Sequence, residues 1–252
     1  MVKNGLFCYT NLMKLSVVIP AYNEEKRIEK TLLSVSEYLS KQSYDYEILV
    51  VNDGSKDKTA EIVNNLMGRL RGLKLIDNKE NHGKGWAVRQ GTLSAQGDYR
   101  LFTDADNSTT IDHVEKFFPF FEQGYDIVIG SRRLKDSVIA VKQPWIRDFL
   151  GGVFRFIVHM LVPLGTKDSQ AGFKMFSKMA AETIFPKQTI FRWAFDVEIL
   201  AIAKKLGFKI EEVPIRWINE AESHVRLSGM VRMLFEVLRV RWNLWTNKYH
   251  ET

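Results

Sequence analysis

The sequence predicts an α/β protein with a mostly parallel central sheet flanked by helices. Three observations carry that prediction. Residues 15–130 alternate short β-branched runs with longer amphipathic stretches. The short runs are almost continuously apolar, as strands buried on both faces are. And 252 residues at 45% apolar composition suffice for one substantial core.

The elements can be taken in order. "LSVVIP" (15–20) is read as the first strand and 24–39 as the helix that follows. "EILVVN" (47–52) leads to a helix over 58–70, with Gly54 permitting a tight turn and Ser55 or Asp57 as its first-turn signal. "LKLID" (73–77) precedes a helix over 84–95, "YRLFTD" (99–104) one over 113–121, and "DIVIG" (126–130) closes the series. In sheets of this kind ligands sit beyond the carboxyl ends of the strands. Four strands here run directly into acid, amide or arginine groups: "AYNEE", "DGSKD", "ADNST" and "SRR". Loops are polar everywhere, yet four such deliveries to one edge predict a ligand site.

The charge is unevenly spread. Residues 1–141 carry 19 basic and 19 acidic side chains, and 142–252 carry 17 and 11. A basic, aromatic-rich second half suits an anionic partner. Residues 145–164 form the most hydrophobic stretch, but Arg147, Asp148, Arg155 and His159 interrupt it and Pro163 lies near its end. No transmembrane helix is expected there, since a span needs about 20 apolar residues. An amphipathic segment over about 144–165, lying in a membrane interface, is expected instead. The tail 227–252 has helical spacing, with Arg232, Arg239, Arg241 and Lys248 beside Met233, Leu234, Val237, Leu238 and Leu244, and with Trp242 and Trp245 as interfacial rings. It reads equally as a helix packed on its own domain; the similar character of 145–164 favours the membrane surface. Nucleic acid is not expected as a partner, because no helix-turn-helix, zinc or RNA-binding aromatic motif is present.

A single cysteine, Cys8, excludes an intrachain disulfide and a cysteine-based zinc cluster and fits a reducing compartment. Residues 1–14 are read as an N-terminal extension without a signal peptide, with Met13 as a candidate start.

Asp104 and Asp106 leave the fourth strand one residue apart. In an extended segment positions i and i+2 share a face, so both carboxylates would address one hard divalent cation, Mg²⁺ or Mn²⁺. Standing alone, D-x-D is common in loops; its place at a strand end is what singles it out. Asp53 ends the second strand, where a carboxylate suits a base or ribose. "NHGKGWAVRQG" (81–91) sets two glycines around Lys84 at a helix start, a backbone cradle for phosphate. Its spacing is neither that of a Walker P-loop nor that of a dinucleotide fingerprint.

Taken together, "VVIPAYNEEKRI", "VVNDGSKDKT", "NHGKGWAVRQG", "FTDADNST" and "DIVIGSRR" resemble, in order and spacing, the inverting family 2 glycosyltransferases of GT-A fold. "DSQAGFKMF", "RWAFDVEIL" and "EEVPIRW" resemble the polyprenyl-phosphate branch of that family, the dolichyl-phosphate β-glucosyltransferases in particular. The resemblance runs from Leu15 to Arg226 and implies a GT-A domain over 15–226 followed by a C-terminal amphipathic helix over 227–252. It implies that Pro20, Ala21, Tyr22, Asn23 and Glu24 embrace the nucleoside of a sugar donor, with Asp53 at its base or ribose and Lys84 at its phosphates. It implies that Asp104 and Asp106, with Ala105 between them, hold the donor's diphosphate through the metal. Arg132 and Arg226 match positions near the phosphates of donor and acceptor, and Gln170 and Lys174 lie in a motif near the acceptor. Asn107 and Ser108 depart from the glycine-alanine or glutamine continuation of many relatives, and Arg226 replaces a frequent lysine.

The implied reaction moves a hexose, glucose from UDP-glucose, onto a polyprenyl or dolichyl phosphate. The implied place is cytoplasmic, peripherally bound to the cytoplasmic face of a membrane. GDP-mannose as donor, a soluble glycan as acceptor and a nucleotide-sugar-binding regulator without turnover are the alternatives. A processive polysaccharide synthase fits less well, since "QTIFRW" (188–193) has one residue more than Q-x-x-R-W and no membrane span is expected.

Overall fold

Alternate residues of each strand bury into opposite layers, and that period of two builds the molecule. The computed structural model describes residues 14–140, 145–218 and 227–249. The first half runs β1 (Lys14–Ala21), α1 (Ile28–Leu39), β2 (Asp45–Asp53), α2 (Thr59–Met67), β3 (Leu73–Asn78), α3 (Lys84–Ser94) and β4 (Tyr99–Thr103). A 3-10 turn (Ile111–Lys116) and the short α4 (Phe118–Glu122) lead to β5 (Ile127–Ser131) and β6 (Val138–Ile139). Then follow α5 (Trp145–Leu161), β7 (Phe173–Ser177), α6 (Lys178–Ile184), α7 (Phe195–Lys205), β8 (Ile210–Pro214), β9 (Arg216–Trp217) and α8 (Leu227–Trp245).

Seven strands form one sheet in the order β3-β2-β1-β4-β7-β5-β8, and β6 pairs with β9 apart from it. Val17, Ile19, Leu101, Val128 and Met175 point into the layer of α1, α2 and α4. Their neighbours Val18, Phe102, Ile127, Ile129 and Phe176 point into the layer of α3, α5, α6, α7 and α8. All pairings are parallel except those of β7, which lies antiparallel between β4 and β5. The expected mostly parallel sheet is therefore present, but the fifth strand does not adjoin the fourth.

Two expected helices are shorter than their periodicity. The stretch from Glu24 begins as a turn, its carbonyl accepting the Arg27 and Ile28 N–H groups, before α1 proper. The stretch 113–121 divides into a 3-10 turn and the five-residue α4, with Pro119 opening the latter. Strand order reverses between β1 and β4, whose neighbours β2 and β7 lead away on opposite sides. That switch point opens a crevice beyond the strand ends.

Candidate active site

Residues after β1 and β2 interlock on one side of the crevice. Asn23, at φ 56°, donates its N–H to Ser55 Oγ at 2.9 Å and accepts the Lys56 N–H at 2.9 Å. The Glu24 N–H reaches Thr59 Oγ1 at 2.8 Å. Pro20 and Ala21 sit in register with Val51 and Asn52, and Tyr22 is exposed at the rim. Asp57, expected to cap α2, accepts both the N–H and the hydroxyl of Thr59.

Asp53, expected at a base or ribose, is already engaged by backbone. Its side chain is 3% exposed, and the carboxylate accepts the His82 N–H at 2.9 Å and the Gly83 N–H at 2.8 Å. It acts as a clamp on the start of α3. Gly83 adopts φ 109°, and a Cβ there would lie 2.4 Å from the Phe191 carbonyl oxygen, so both conformation and space require glycine. The clamp aims Lys84 across the crevice, where its Nζ lies 2.5 Å from Asp104 Oδ1.

Asp104 and Asp106 share a direction for a reason other than strand alternation. β4 ends at Thr103, and residues 104–107 turn, with Asn107 at φ 56°. Asp106 Oδ1 accepts the Ser108 N–H at 2.9 Å, and Thr31 Oγ1 donates to the Ala105 carbonyl at 2.7 Å, tying the turn to α1. Gly172 packs behind Asp104 so closely that an added Cβ would meet Oδ2 at 2.0 Å. Burial raises the Asp106 pKa, and the charge of Asp104 raises it further. Burial alone would lower the Lys84 pKa, but Asp104 and Asp196 more than offset it and hold the ammonium charged.

Both aspartates line a small cleft with Thr103, Ser108, Thr109, Arg132, Gln170, Gly172 and Trp217. Arg132 is gripped by Asp168 through Nε and one terminal nitrogen, each at 2.8 Å, and through its own N–H at 2.9 Å. Burial would raise the Asp168 pKa, yet this guanidinium carries it below the usual value. The Arg132 guanidinium lies 5.4 Å from the centre of the Trp217 ring.

The structure thus brings Asp104, Asp106, Arg132 and Gln170 to one cleft, with Lys84 bonded at its edge. Lys174 is placed otherwise. It is wholly buried on β7, donating to Asp196 Oδ1 and to the Ala171 carbonyl at 2.5 Å each, with Phe102 beneath it. It supports the site from below rather than facing an acceptor. Arg226 lies outside the described residues. Asp168, Asp196, Gly172 and Trp217 were not singled out by sequence reasoning, although each stands within or beside a motif that was. Among the described residues no group of three or more His, Cys, Asp or Glu side chains could hold a metal ion. Two carboxylates with neighbouring hydroxyls are a hard oxygen donor set, which fits Mg²⁺ or Mn²⁺ completed by water or phosphate oxygens.

A twisted sheet with an antiparallel insertion and a paired-aspartate cleft at its switch point defines a GT-A glycosyltransferase. The glycosyl transferase family 2 model matches residues 16–185, and the chain belongs to that family. It is 37% identical over 245 residues to dolichyl-phosphate beta-glucosyltransferase ALG5C of Trichomonas vaginalis, covering 92% of this chain and 73% of that protein. It is 35% identical over 254 residues to the Homo sapiens dolichyl-phosphate beta-glucosyltransferase, covering 94% and 77%. Among solved structures it resembles mannosyl-3-phosphoglycerate synthase from Rubrobacter xylanophilus, with TM-score 0.68 and 18% identity over 94% of this chain and 75% of that one. It also resembles glucosyl-3-phosphoglycerate synthase from Mycobacterium tuberculosis in complex with Mn²⁺, UDP-Glc and phosphoglyceric acid, with TM-score 0.67, 21% identity and coverage of 91% and 79%. At these identities the two structures establish the fold.

Proposed function

We propose that this enzyme transfers glucose from UDP-glucose to a dolichyl or polyprenyl phosphate, with inversion, at the cytoplasmic face of a membrane. The carrying observation is the single cleft that holds Asp104, Asp106 and Arg132 with Lys84 bonded at its edge. The names of the relatives support glucose and the lipid phosphate.

A phosphate monoester is already ionised near neutral pH, so the acceptor needs no strong general base. Its oxygen attacks the anomeric carbon as the bond from that carbon to the β-phosphate oxygen breaks, and the electron pair leaves with the nucleoside diphosphate. Asp104 and Asp106 would hold Mg²⁺ or Mn²⁺, which when bound neutralises charge on the leaving diphosphate. Lys84 and the N-terminus of α3 offer that diphosphate a cation and backbone donors. Arg132, fixed by Asp168, has N–H groups left for a second phosphate. Positioning and electrostatic complementarity carry the rate.

The membrane surface is supported by the outer faces of α5 and α8. Val231, Phe235, Leu238, Trp242 and Trp245 recur at spacings of four and three along exposed α8, and Phe156 and Met160 are exposed on α5. Arg232, Arg239 and Arg241 are exposed beside the stripe and suit anionic headgroups. Val237 and Val240 on the opposite face of α8 are buried in the core, so the helix packs on its own domain as well. Among the described residues no helix is long and apolar enough to cross a membrane.

The test incubates the protein and Mn²⁺ or Mg²⁺ with a panel of nucleotide sugars and a polyprenyl phosphate, and reads the sugar lipid by mass. UDP-glucose should give a hexosyl lipid. Product from GDP-mannose alone, or on a soluble glycan alone, overturns the donor or acceptor assignment; donor binding without any product points to a regulator. Pelleting with anionic liposomes, weakened by salt and by Phe235→Ser with Trp242→Ser, tests the surface.

A further inference from the structure

We propose that Lys84 is a built-in counter-ion that competes with the divalent cation for Asp104 and yields only when a diphosphate arrives with it. The site then binds metal and diphosphate together and takes up metal alone poorly. This deepens the donor reading above and rests on it.

Both sides of the contact are braced. Lys84 opens α3 directly after the Gly83 turn, whose N–H groups are held by the buried Asp53 carboxylate. Asp104 is backed by Gly172, against which its carboxylate packs closely. The ammonium therefore reaches Asp104 Oδ1 at 2.5 Å from a braced backbone, with its side chain still 28% exposed. The other carboxylate of the pair is also engaged, since Asp106 Oδ1 holds the Ser108 N–H. A divalent ion arriving alone would meet two carboxylates, one of them already neutralised, with no third acidic or imidazole ligand among the described residues. It would also share an oxygen with an ammonium, and two cations so close repel strongly where water is partly excluded.

A diphosphate changes that balance. It brings oxygen ligands for the metal and new acceptors for Lys84, whose compact charge on a flexible stem can pass from carboxylate to phosphate without moving α3. The positive N-terminal end of α3, an eleven-residue helix, favours the anion in the same place. Lys84 thereby makes the two affinities interdependent, and linkage requires the effect to be reciprocal: metal must tighten diphosphate as much as diphosphate tightens metal.

Mn²⁺ binding to the full chain, followed by the electron paramagnetic resonance signal of free Mn²⁺ with and without UDP, reads this without any turnover. Wild type should bind Mn²⁺ weakly alone and at least tenfold more tightly with UDP. Lys84→Met should bind Mn²⁺ alone at least tenfold more tightly than wild type, and UDP should tighten it less. Lys84→Arg, which keeps the charge, should resemble wild type. Lys84→Gln serves in place of Lys84→Met if the latter does not fold. A neutral variant that binds Mn²⁺ alone no more tightly than wild type overturns the proposal. The UDP-free arm decides the role of Lys84, whereas a wild type that binds no UDP at all would refute the donor reading separately.

Discussion

The two halves of the molecule build their site groups by different means. From β1 to β4 the groups stand on loops at parallel strand ends, held by short hydrogen bonds such as Asn23 to Ser55 and Asp53 to Gly83. From β5 to α8 they are held by buried ion pairs, Arg132 with Asp168 and Lys174 with Asp196. The first arrangement sets polar side chains beyond the strand ends. The second fixes one wall of the cleft against them, and mutations should separate the two.

The largest expected effect is on the strand-end side. Asp106→Ala should lower turnover by about 10³-fold or more, the scale of losing a main electrostatic contact in the transition state, while leaving thermal unfolding nearly unchanged. Wild-type rates in that variant would refute the metal role of the pair. On the supporting side the order reverses. Asp196→Asn strands the wholly buried Lys174 ammonium, and breaking one partner of a buried pair costs about 3–5 kcal/mol. Denaturant unfolding should show that loss, and the double variant Lys174→Met, Asp196→Leu should recover much of it. A double variant no more stable than the single one would mean that the pair does not act as a unit.

This contrast also explains what could be read before the structure. β1 to β5 were legible because their apolar runs are continuous, and Asp53, Asp104 and Arg132 stood out as polar positions because they follow those runs, although the clamp of Asp53 on α3 did not. β7 was not, because "FKMFS" carries Lys174 at its second position, opposite Phe102. A lysine inside an apolar strand looks like a motif residue until its partner is known, and that partner stands on α7, 22 positions later. β8 hid for a related reason, since "IEEVP" lies at the edge of the sheet with two glutamates that are only partly buried. The contact between Lys84 and Asp104 depends on how α3 and β4 end side by side, which no local pattern contains.

Gly172→Ala crosses the two regions, because a β7-side residue sets the position of a β4-side carboxylate. The added methyl must displace Asp104. A shift of about 1 Å in a catalytic group can cost about 10²-fold, so kcat should fall by roughly that factor. The unfolding midpoint should change far less than in Asp196→Asn. An unchanged kcat would show that Asp104 tolerates displacement and that its packing is incidental.

The smallest effect concerns the strap that carries Trp217. His113 is buried beneath it, and its Nε2 accepts the Arg216 N–H at 2.9 Å, which requires the neutral ring with its proton on Nδ1, beside the Thr110 carbonyl. Burial is the main cause that lowers the His113 pKa below 6.5. The folded state then binds fewer protons than the unfolded chain just below that value, so stability rises with pH there. The contribution is complete above about pH 6.5 and is lost as pH falls through the depressed folded value. Protonation removes the acceptor of the Arg216 N–H and should loosen β9, and with it the Trp217 ring over Arg132. Thermal unfolding measured from pH 7 down to pH 5 should therefore decline in the wild type. His113→Gln keeps an acceptor oxygen but cannot titrate, and should decline less. Equal slopes would assign the acid sensitivity to the carboxylates of the supporting half instead.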